Sequence, residues 1–319
     1  MTQTLRIVFF GTPDFAVPSL QALLAGDDAV VGVVCQPDRP AGRGQQLSAP
    51  PVKVVAVQAG VPVLQPEKVR TAAFLDELRQ WAPDLIVVAA YGRILPKPVL
   101  ELPPHGCINV HASLLPKYRG AAPIQWAMLR GEVETGVTIM QMNEGMDTGD
   151  IRLQRATPIG AEETYGALQA RLAVLGAEAL REALVRLKAG TLPRVPQRDA
   201  DMTLAPMLSK EDGRIDWSQA AVDIARRVRA LHPWPSAFTV LDGKLLKIHR
   251  AHPTAVPGAA TVGTVVGVDA GIAVATGAGT LVLDEVQLEG RKRLSAAEFA
   301  RGGQVRIGAR LGQDHGASC

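Results

Sequence analysis

Two polar side chains, Asn109 and His111, occupy alternate positions at the end of a short apolar run, Cys107-Ile-Asn-Val-His111, followed by Ala112-Ser-Leu-Leu-Pro116. Side chains alternate along a strand, so the amide and the imidazole share one face. Burying both without partners is costly. An Asn amide can donate to an oxygen that gains negative charge during a reaction. A His ring can exchange a proton near neutral pH. On these grounds alone the pair is open to two readings, a catalytic set or a satisfied structural pair.

A second segment, Glu144-Gly-Met-Asp147-Thr-Gly149, is a short glycine-flanked loop that offers Asp147, with Glu144 and Asp150 as weaker candidates. A carboxylate beside an imidazole favours its protonated form. The alternative is an aspartate that closes its own turn before Gly149. Residues 37–51 have no hydrophobic periodicity and form a long loop, a feature that is often functional in a compact domain. There Arg39 and Arg43 could meet a phosphate, with Gly42 and Gly44 giving freedom, or the loop is merely solvated. Arg291-Lys292-Arg293 is a basic cluster open to the same two readings. Gly11-Thr-Pro-Asp-Phe15 opens a helix whose N-terminus suits an anion. Met140, Met142 and Met146 read first as core filling, and His232-Pro-Trp-Pro235 as a helix end with a packed indole. Three scattered cysteines, Cys35, Cys107 and Cys319, fit neither a disulfide framework nor a zinc ribbon. The sequence has no phosphate-binding Walker motif, zinc-protease helix or serine-hydrolase elbow, and Gly277-Ala-Gly279 lacks the third glycine of a dinucleotide fingerprint.

The elements that would position these residues follow from periodicity. Short apolar runs at 5–10, 30–35, 85–90 and 107–111 suit strands buried on both faces. Helical patterns at 15–25, 52–59, 71–81 and 123–130 lie between them, which argues for an open parallel sheet covered by helices. Strands around 136–142 and 151–156 and a helix over 165–189 complete the unit. In open sheets of this kind ligands bind outside the carboxyl ends of the strands, where Asn109 and His111 stand. Beyond 190 the texture changes. A Pro-rich stretch at 190–208 reads as a linker. A helix over 220–231 then precedes short alternating runs at 237–241, 245–251, 262–268, 271–275 and 280–287, and a last helix spans 295–301. Five short strands with Gly-rich turns suggest a small OB-like β-barrel.

Composition agrees with this organisation. The 319 residues are 47% hydrophobic and 20% charged, enough for packed cores and too apolar for wholesale disorder. No apolar run approaches membrane-spanning length, and the first apolar run is too short for a signal peptide, so a cytoplasmic protein with no membrane partner is expected. Residues 1–208 hold 20 basic and 20 acidic side chains, residues 209–319 hold 14 and 11, so the whole excess of +3 lies in the second part. That permits a basic face there without requiring one.

Four stretches together resemble a known family: Phe9-Phe-Gly-Thr-Pro-Asp-Phe-Ala16, Gln36-Pro-Asp-Arg-Pro-Ala-Gly-Arg-Gly44, Ile108 through Pro123, and Gly136-Val-Thr-Ile-Met140 through Asp147-Thr-Gly-Asp150. They look like the methionyl-tRNA formyltransferases, and Arg229-Ala-Leu-His-Pro-Trp-Pro-Ser-Ala237 continues the likeness. The Asn-x-His strand and the distant Asp are shared by the wider folate-dependent group, including glycinamide ribonucleotide and sugar N-formyltransferases and formyltetrahydrofolate hydrolases. The arginine-glycine loop and the His-Pro-Trp-Pro segment point to the tRNA enzymes. Family loops commonly carry lysines after Gly-Arg-Gly; here Gln45 and Gln46 stand there, which leaves Arg43 with more of the contact.

The resemblance implies a Rossmann-like formyltransferase domain over 1–189 that binds folate, a linker over 190–208 and a tRNA-binding barrel over 209–319. It implies a monomer that moves a formyl group from 10-formyltetrahydrofolate, a co-substrate, to the amino group of methionine on initiator tRNA, without a metal. Asn109, His111 and Asp147 would be catalytic. Ser113, Leu114, Leu115 and Pro116, with Tyr91, Gly92, Arg93, Ile94 and Leu95, would contact the folate. Arg39, Arg43, Arg291, Lys292 and Arg293 would meet tRNA.

Overall fold

A computed structural model describes residues 4–41, 46–254 and 260–313. Two units emerge. One comprises residues 1–124, 133–158 and 168–206, the other 125–132, 159–167 and 207–319.

The first unit is built on a seven-stranded sheet. In chain order its first elements are β1 (Arg6–Gly11), α1 (Val17–Leu24) and β2 (Ala29–Val34). A small hairpin follows, β3 (Arg39–Ala41) and β4 (Gln46–Ser48), then α2 (Pro51–Gln58) and β5 (Val63–Leu64). Next come α3 (Ala72–Gln80), β6 (Leu85–Ala89), α4 (Lys97–Leu100) and β7 (Cys107–His111). Then β8 (Glu134–Gln141) and β9 (Ile151–Pro158) lead into the long α6 (Tyr165–Lys188), which belongs to this unit from Leu168 on, while the short α5 (Pro123–Leu129) before β8 falls mostly in the second unit.

The sheet order is β5-β2-β1-β6-β7-β8-β9. Pairing is parallel from β5 to β7 and antiparallel for β7–β8 and β8–β9, so the sheet is mixed. The parallel strands β1 and β6 are apolar at almost every position because helices cover both faces. From β1 the chain moves outward to β2 on one side and resumes on the other side at β6. That reversal of direction puts a crevice at the carboxyl ends of β1 and β6. There Thr12 Oγ1 donates to the carbonyl of Tyr91 (3.2 Å), tying the two strand ends together. Helix α6 lies against β7 and β8 at Gly176, where an added Cβ would stand 2.8 Å from Val110 Cγ1. Only a glycine lets the helix approach so closely beneath the strand that carries Asn109 and His111.

The stretch 190–208 reads from the sequence as a linker; its residues up to Pro206 belong to the first unit. Val195 bonds to Ile151 in both directions, at 2.8 and 3.0 Å, and Ala205 N donates to Arg119 O at 2.8 Å.

The second unit carries α7 (Ala221–Ala230), β10 (Ala237–Leu241), β11 (Lys244–Thr254), β12 (Val265–Gly267), β13 (Ile272–Ala275), β14 (Thr280–Leu288), β15 (Leu294–Ser295) and α8 (Ala296–Arg301). The strands are antiparallel in the order β10-β11-β14-β13-β12, with β15 on β14. Among the described residues no β10–β12 pairing closes the sheet, which makes it a curled half-barrel. Its concave side buries Leu246, Ile248, Val274, Leu281 and Leu283 against Ile224 and Val228 of α7. Helix α8 begins with a capping box between Ser295 and Glu298. No helix among the described residues is long and apolar enough to cross a membrane.

Candidate active site

Strand β7 delivers Asn109 and His111 to one face, as alternation requires. His111 is buried, with 5% of its surface exposed. Its Nε2 lies 3.0 Å from the carbonyl of Tyr118, which can only accept, so Nε2 carries the proton in that bond. Nδ1 is the nitrogen left for other work, and it faces Asp147 Oδ1 at 3.7 Å, longer than a direct hydrogen bond. Asn109 is half-buried, and its side-chain amide has no hydrogen-bond partner among the described residues. An amide held at a strand end with its donors uncommitted is free to serve a ligand.

Asp147 comes from the loop between β8 and β9. Its φ of 54° lies in the left-handed region, which a non-glycine residue holds only where its surroundings fix it. The loop is pinned at its base by Gln141 N to Asp150 O (2.8 Å) and inside by Asn143 Oδ1, which accepts from Gly145 N and Thr148 Oγ1. At Gly149 an added Cβ would sit 1.8 Å from Gln141 O, so no other residue fits. The carboxylate accepts from Gly120 N at Oδ2 (2.8 Å). Gln197 Nε2 donates to the carbonyls of Asp147 and Gly149, each at 2.8 Å. Gln197 Oε1 in turn accepts from Nε of the buried Arg119 (3.0 Å). Sequence reasoning missed Gln197 and Arg119.

Of the segments singled out by sequence, 113–116 is fixed by main-chain and buried contacts. Ser113 is fully buried and its hydroxyl donates to Lys117 O, so that group already has a partner. Thr138 Oγ1 donates to Ser113 O and accepts from Leu115 N, and Gln154 Nε2 donates to Leu115 O. The side chain of Leu114 packs toward Gly136, and Leu115 is buried.

In 91–95, Tyr91 is buried edge-to-face on Phe10 at 5.1 Å, and burial pushes its phenol up to about 12. Arg93 Nε donates to Gln36 Oε1, and its guanidinium also reaches the carbonyls of Pro66 and Glu67. Gly92 and Ile94 are exposed, while Leu95 is buried. Ile94 and Leu95 line a cavity of about 650 Å³ together with Val69, Thr71, Leu75 and Lys97.

Among the expected tRNA contacts, Arg39 is exposed at the start of β3, while Arg43 lies outside the described residues. Arg291, Lys292 and Arg293 are exposed on the turn after β14, where Arg293 is paired with Glu285. His111 and Asp147 thus face each other, with Asn109 on the same face of β7 as His111, whereas the cations belong to two separately described units. Among the described residues no three His, Cys, Asp or Glu side chains are grouped so as to hold a metal.

Comparison with known proteins assigns the class first. The family model described as formyl transferase matches residues 5–184, and the one described as formyl transferase, C-terminal domain, matches 207–304. The fold agrees with two solved structures. HypX from Aquifex aeolicus in complex with tetrahydrofolic acid superposes with a TM-score of 0.63 at 20% identity, over 95% of this chain and 48% of that one, so this chain spans about half its length. The N-formyltransferase from Helicobacter canadensis with folinic acid and dTDP-3-aminofucose gives 0.65 at 18% identity, over 88% of this chain and 99% of that one. Fold and sequence are those of an enzyme of the formyl transferase class.

Relatives narrow the class. Methionyl-tRNA formyltransferase of Geobacter metallireducens is 53% identical, over 97% of this chain and 99% of the relative. The proteins of the same name from Desulfotalea psychrophila and Myxococcus xanthus are 55% and 53% identical, each over 95% of this chain. The chain belongs to the methionyl-tRNA formyltransferase family.

Proposed function

We propose that this protein transfers the formyl group of 10-formyltetrahydrofolate to the α-amino group of methionine esterified to initiator tRNA. The observation that carries the reading is identity above one half to proteins of that name across both units. Folates bound to two proteins of the same fold support a folate co-substrate.

The chemistry suits the strand-end residues. The amine attacks the formyl carbon, a carbon–nitrogen bond forms and the carbonyl oxygen becomes an oxyanion. Collapse breaks the bond between the formyl carbon and N10 of the folate. The amine loses a proton and N10 gains one. Asn109, whose amide has no other partner, donates to the oxyanion, a contribution on the order of 10²–10³ in rate. His111 exchanges the proton through Nδ1, because Nε2 is held by Tyr118. Asp147 keeps a negative charge near Nδ1 and steadies the ring whenever it is cationic. No step needs a metal.

In this reading the folate meets the main chain of 113–116 and the cavity beside Ile94 and Leu95. Backbone donors and acceptors can read a flat pterin edge, as the side chains of Ser113 and Leu115 are turned inward. Arg39, Arg43, Arg291, Lys292 and Arg293 meet tRNA phosphates, Arg293 from an exposed pair with Glu285. The first unit is the catalytic, folate-binding part and the second the tRNA-binding part, in a monomeric cytoplasmic enzyme.

The experiment offers the protein 10-formyltetrahydrofolate with charged initiator tRNA, with an amino-sugar nucleotide, or with no acceptor. Formyl transfer to the tRNA alone is expected. Formate release without acceptor would mark a hydrolase, and transfer to the sugar would mark a sugar N-formyltransferase.

A further inference from the structure

We propose that Gln197 is the positioning residue for the Asp147 carboxylate, clamping the loop before β9 onto the buried guanidinium of Arg119. This rests on the role given to Asp147 above and extends it to a residue in a stretch that looks, in sequence, like a connector.

The amide of Gln197 has its orientation fixed by what surrounds it. Both N–H groups point at carbonyls, Asp147 O and Gly149 O, at 2.8 Å each. Its oxygen accepts from Arg119 Nε at 3.0 Å. Rotating the amide by half a turn would set an oxygen against two carbonyl oxygens and an NH₂ against a guanidinium, so one orientation is allowed. Arg119 is itself immobilised. It is 5% exposed, its guanidinium donates to Asp199 Oδ1 at 2.9 Å, and its main chain bonds to Thr203 O and Ala205 N. The next residue, Gly120, gives its N–H to Asp147 Oδ2.

Asp147 is therefore held at its carbonyl by Gln197 and at its carboxylate by the residue after Arg119. This accounts for how a non-glycine residue keeps a φ of 54° in an otherwise narrow loop. The remaining carboxylate oxygen, Oδ1, faces His111 Nδ1. If the amide is removed, the main chain of Asp147 can relax toward an ordinary conformation, and the carboxylate swings with it. The hydrogen bonds of Gln197 go to Asp147, Gly149 and Arg119, so its loss should act on the chemical step and leave substrate binding alone.

The test is a double-mutant cycle on single-turnover formyl transfer, at saturating folate and initiator methionyl-tRNA, with Gln197→Ala, Asp147→Asn and the pair combined. Gln197→Ala should lower the rate about tenfold, since a displacement near 1 Å can cost up to about 10²-fold. KM for both substrates should stay within about twofold of wild type. Combined with Asp147→Asn, it should add no further loss, because it acts through the charge already removed. Gln197→Glu keeps the length and the Arg119 contact but cannot donate to two carbonyls. It should fold and lose a similar factor, so the test stands even if the alanine variant is unstable. A folded Gln197 variant at the wild-type rate, a loss confined to KM, or losses that multiply in the double variant would each overturn the proposal. If Asp147→Asn itself runs at the wild-type rate, the role of Asp147 falls together with this proposal. If it is slow while Gln197→Ala and Gln197→Glu are not, only this proposal falls.

Discussion

The main-chain N–H of Gly120 donates to Asp147 Oδ2 at 2.8 Å, two residues beyond Tyr118, whose carbonyl accepts from His111 Nε2 at 3.0 Å. One turn of chain thus holds both the imidazole and the carboxylate. The imidazole Nδ1 and the carboxylate Oδ1 are left facing each other at 3.7 Å. The distance between the two side chains is set by backbone geometry and not by the flexibility of either.

His111→Ala removes the nitrogen that exchanges the proton in the proposed mechanism. Transfer should fall by roughly 10²–10⁴, the usual range for a positioned general acid or base. Folate affinity should be unchanged, and circular dichroism should report an intact fold. A folded variant with wild-type turnover would remove His111 from the mechanism.

Asn109→Ala should cost about 10²–10³ in the rate at saturating substrate, through loss of the donor to the oxyanion. The amide makes no hydrogen bond within the protein among the described residues, so thermal stability should hold. A large drop in melting temperature would mean that Asn109 is structural after all.

The strand that carries Asn109 and His111 was legible in sequence, because the run 107–111 is a strand with those bounds and a strand places alternate residues on one face. The parallel core was legible for a similar reason, since both-face burial leaves continuous apolar runs such as 85–89. What stayed hidden has no periodic signal. The hairpin of β3 and β4 is three residues per strand in a Pro- and Gly-rich loop. The antiparallel direction of β8 and β9 is a property of connection, and apolar runs do not encode direction. Gln197 sits among prolines and charged residues, and its role arises from contacts 48 to 78 residues distant.

Cys35 and Cys107 are buried, and burial pushes their thiols up to about 11 and about 12. The thiolate is the reactive form. In a Cys319→Ser variant at pH 8, a disulfide reagent should therefore titrate no thiol in the native protein and both after denaturation. Rapid native labelling of either would show that its pocket opens.

In the second unit His232 and His249 meet edge-to-face, 5.8 Å between ring centres, and each has a buried Nδ1 without a partner. Burial lowers both pKa values from 6.5, with Arg293 and, for His249, Lys247 acting in the same direction and Glu285 or Gln287 opposing. The unfolded chain then binds more protons than the folded one. Their contribution is fully present above about pH 6.5 and is lost as pH falls from there through the folded values. Melting temperature should fall between about pH 6.5 and 5, and His249→Gln should flatten that slope. An unchanged slope in the variant would assign the acid sensitivity elsewhere.

Arg291 and Lys292 are exposed on the turn after β14, while Arg293 is tied to Glu285. Replacing both Arg291 and Lys292 with Ala should weaken tRNA binding and reduce the salt slope by about 1–2, as fewer counterions are released. The rate from bound tRNA should not change. A slope equal to wild type would place the phosphate contacts on other cations.

In the proposed reaction this chain formylates methionine on initiator tRNA with the Asn109–His111–Asp147 set. This reaction is tested most directly by single-turnover transfer of labelled formyl from 10-formyltetrahydrofolate to methionine, carried on initiator or on elongator tRNA, by wild type and His111→Ala. The expected result is rapid label in formylmethionine on the initiator alone, slowed by roughly 10² or more in the variant. Equal labelling of both tRNAs, label appearing only as formate, or a folded His111→Ala protein as fast as wild type would contradict it.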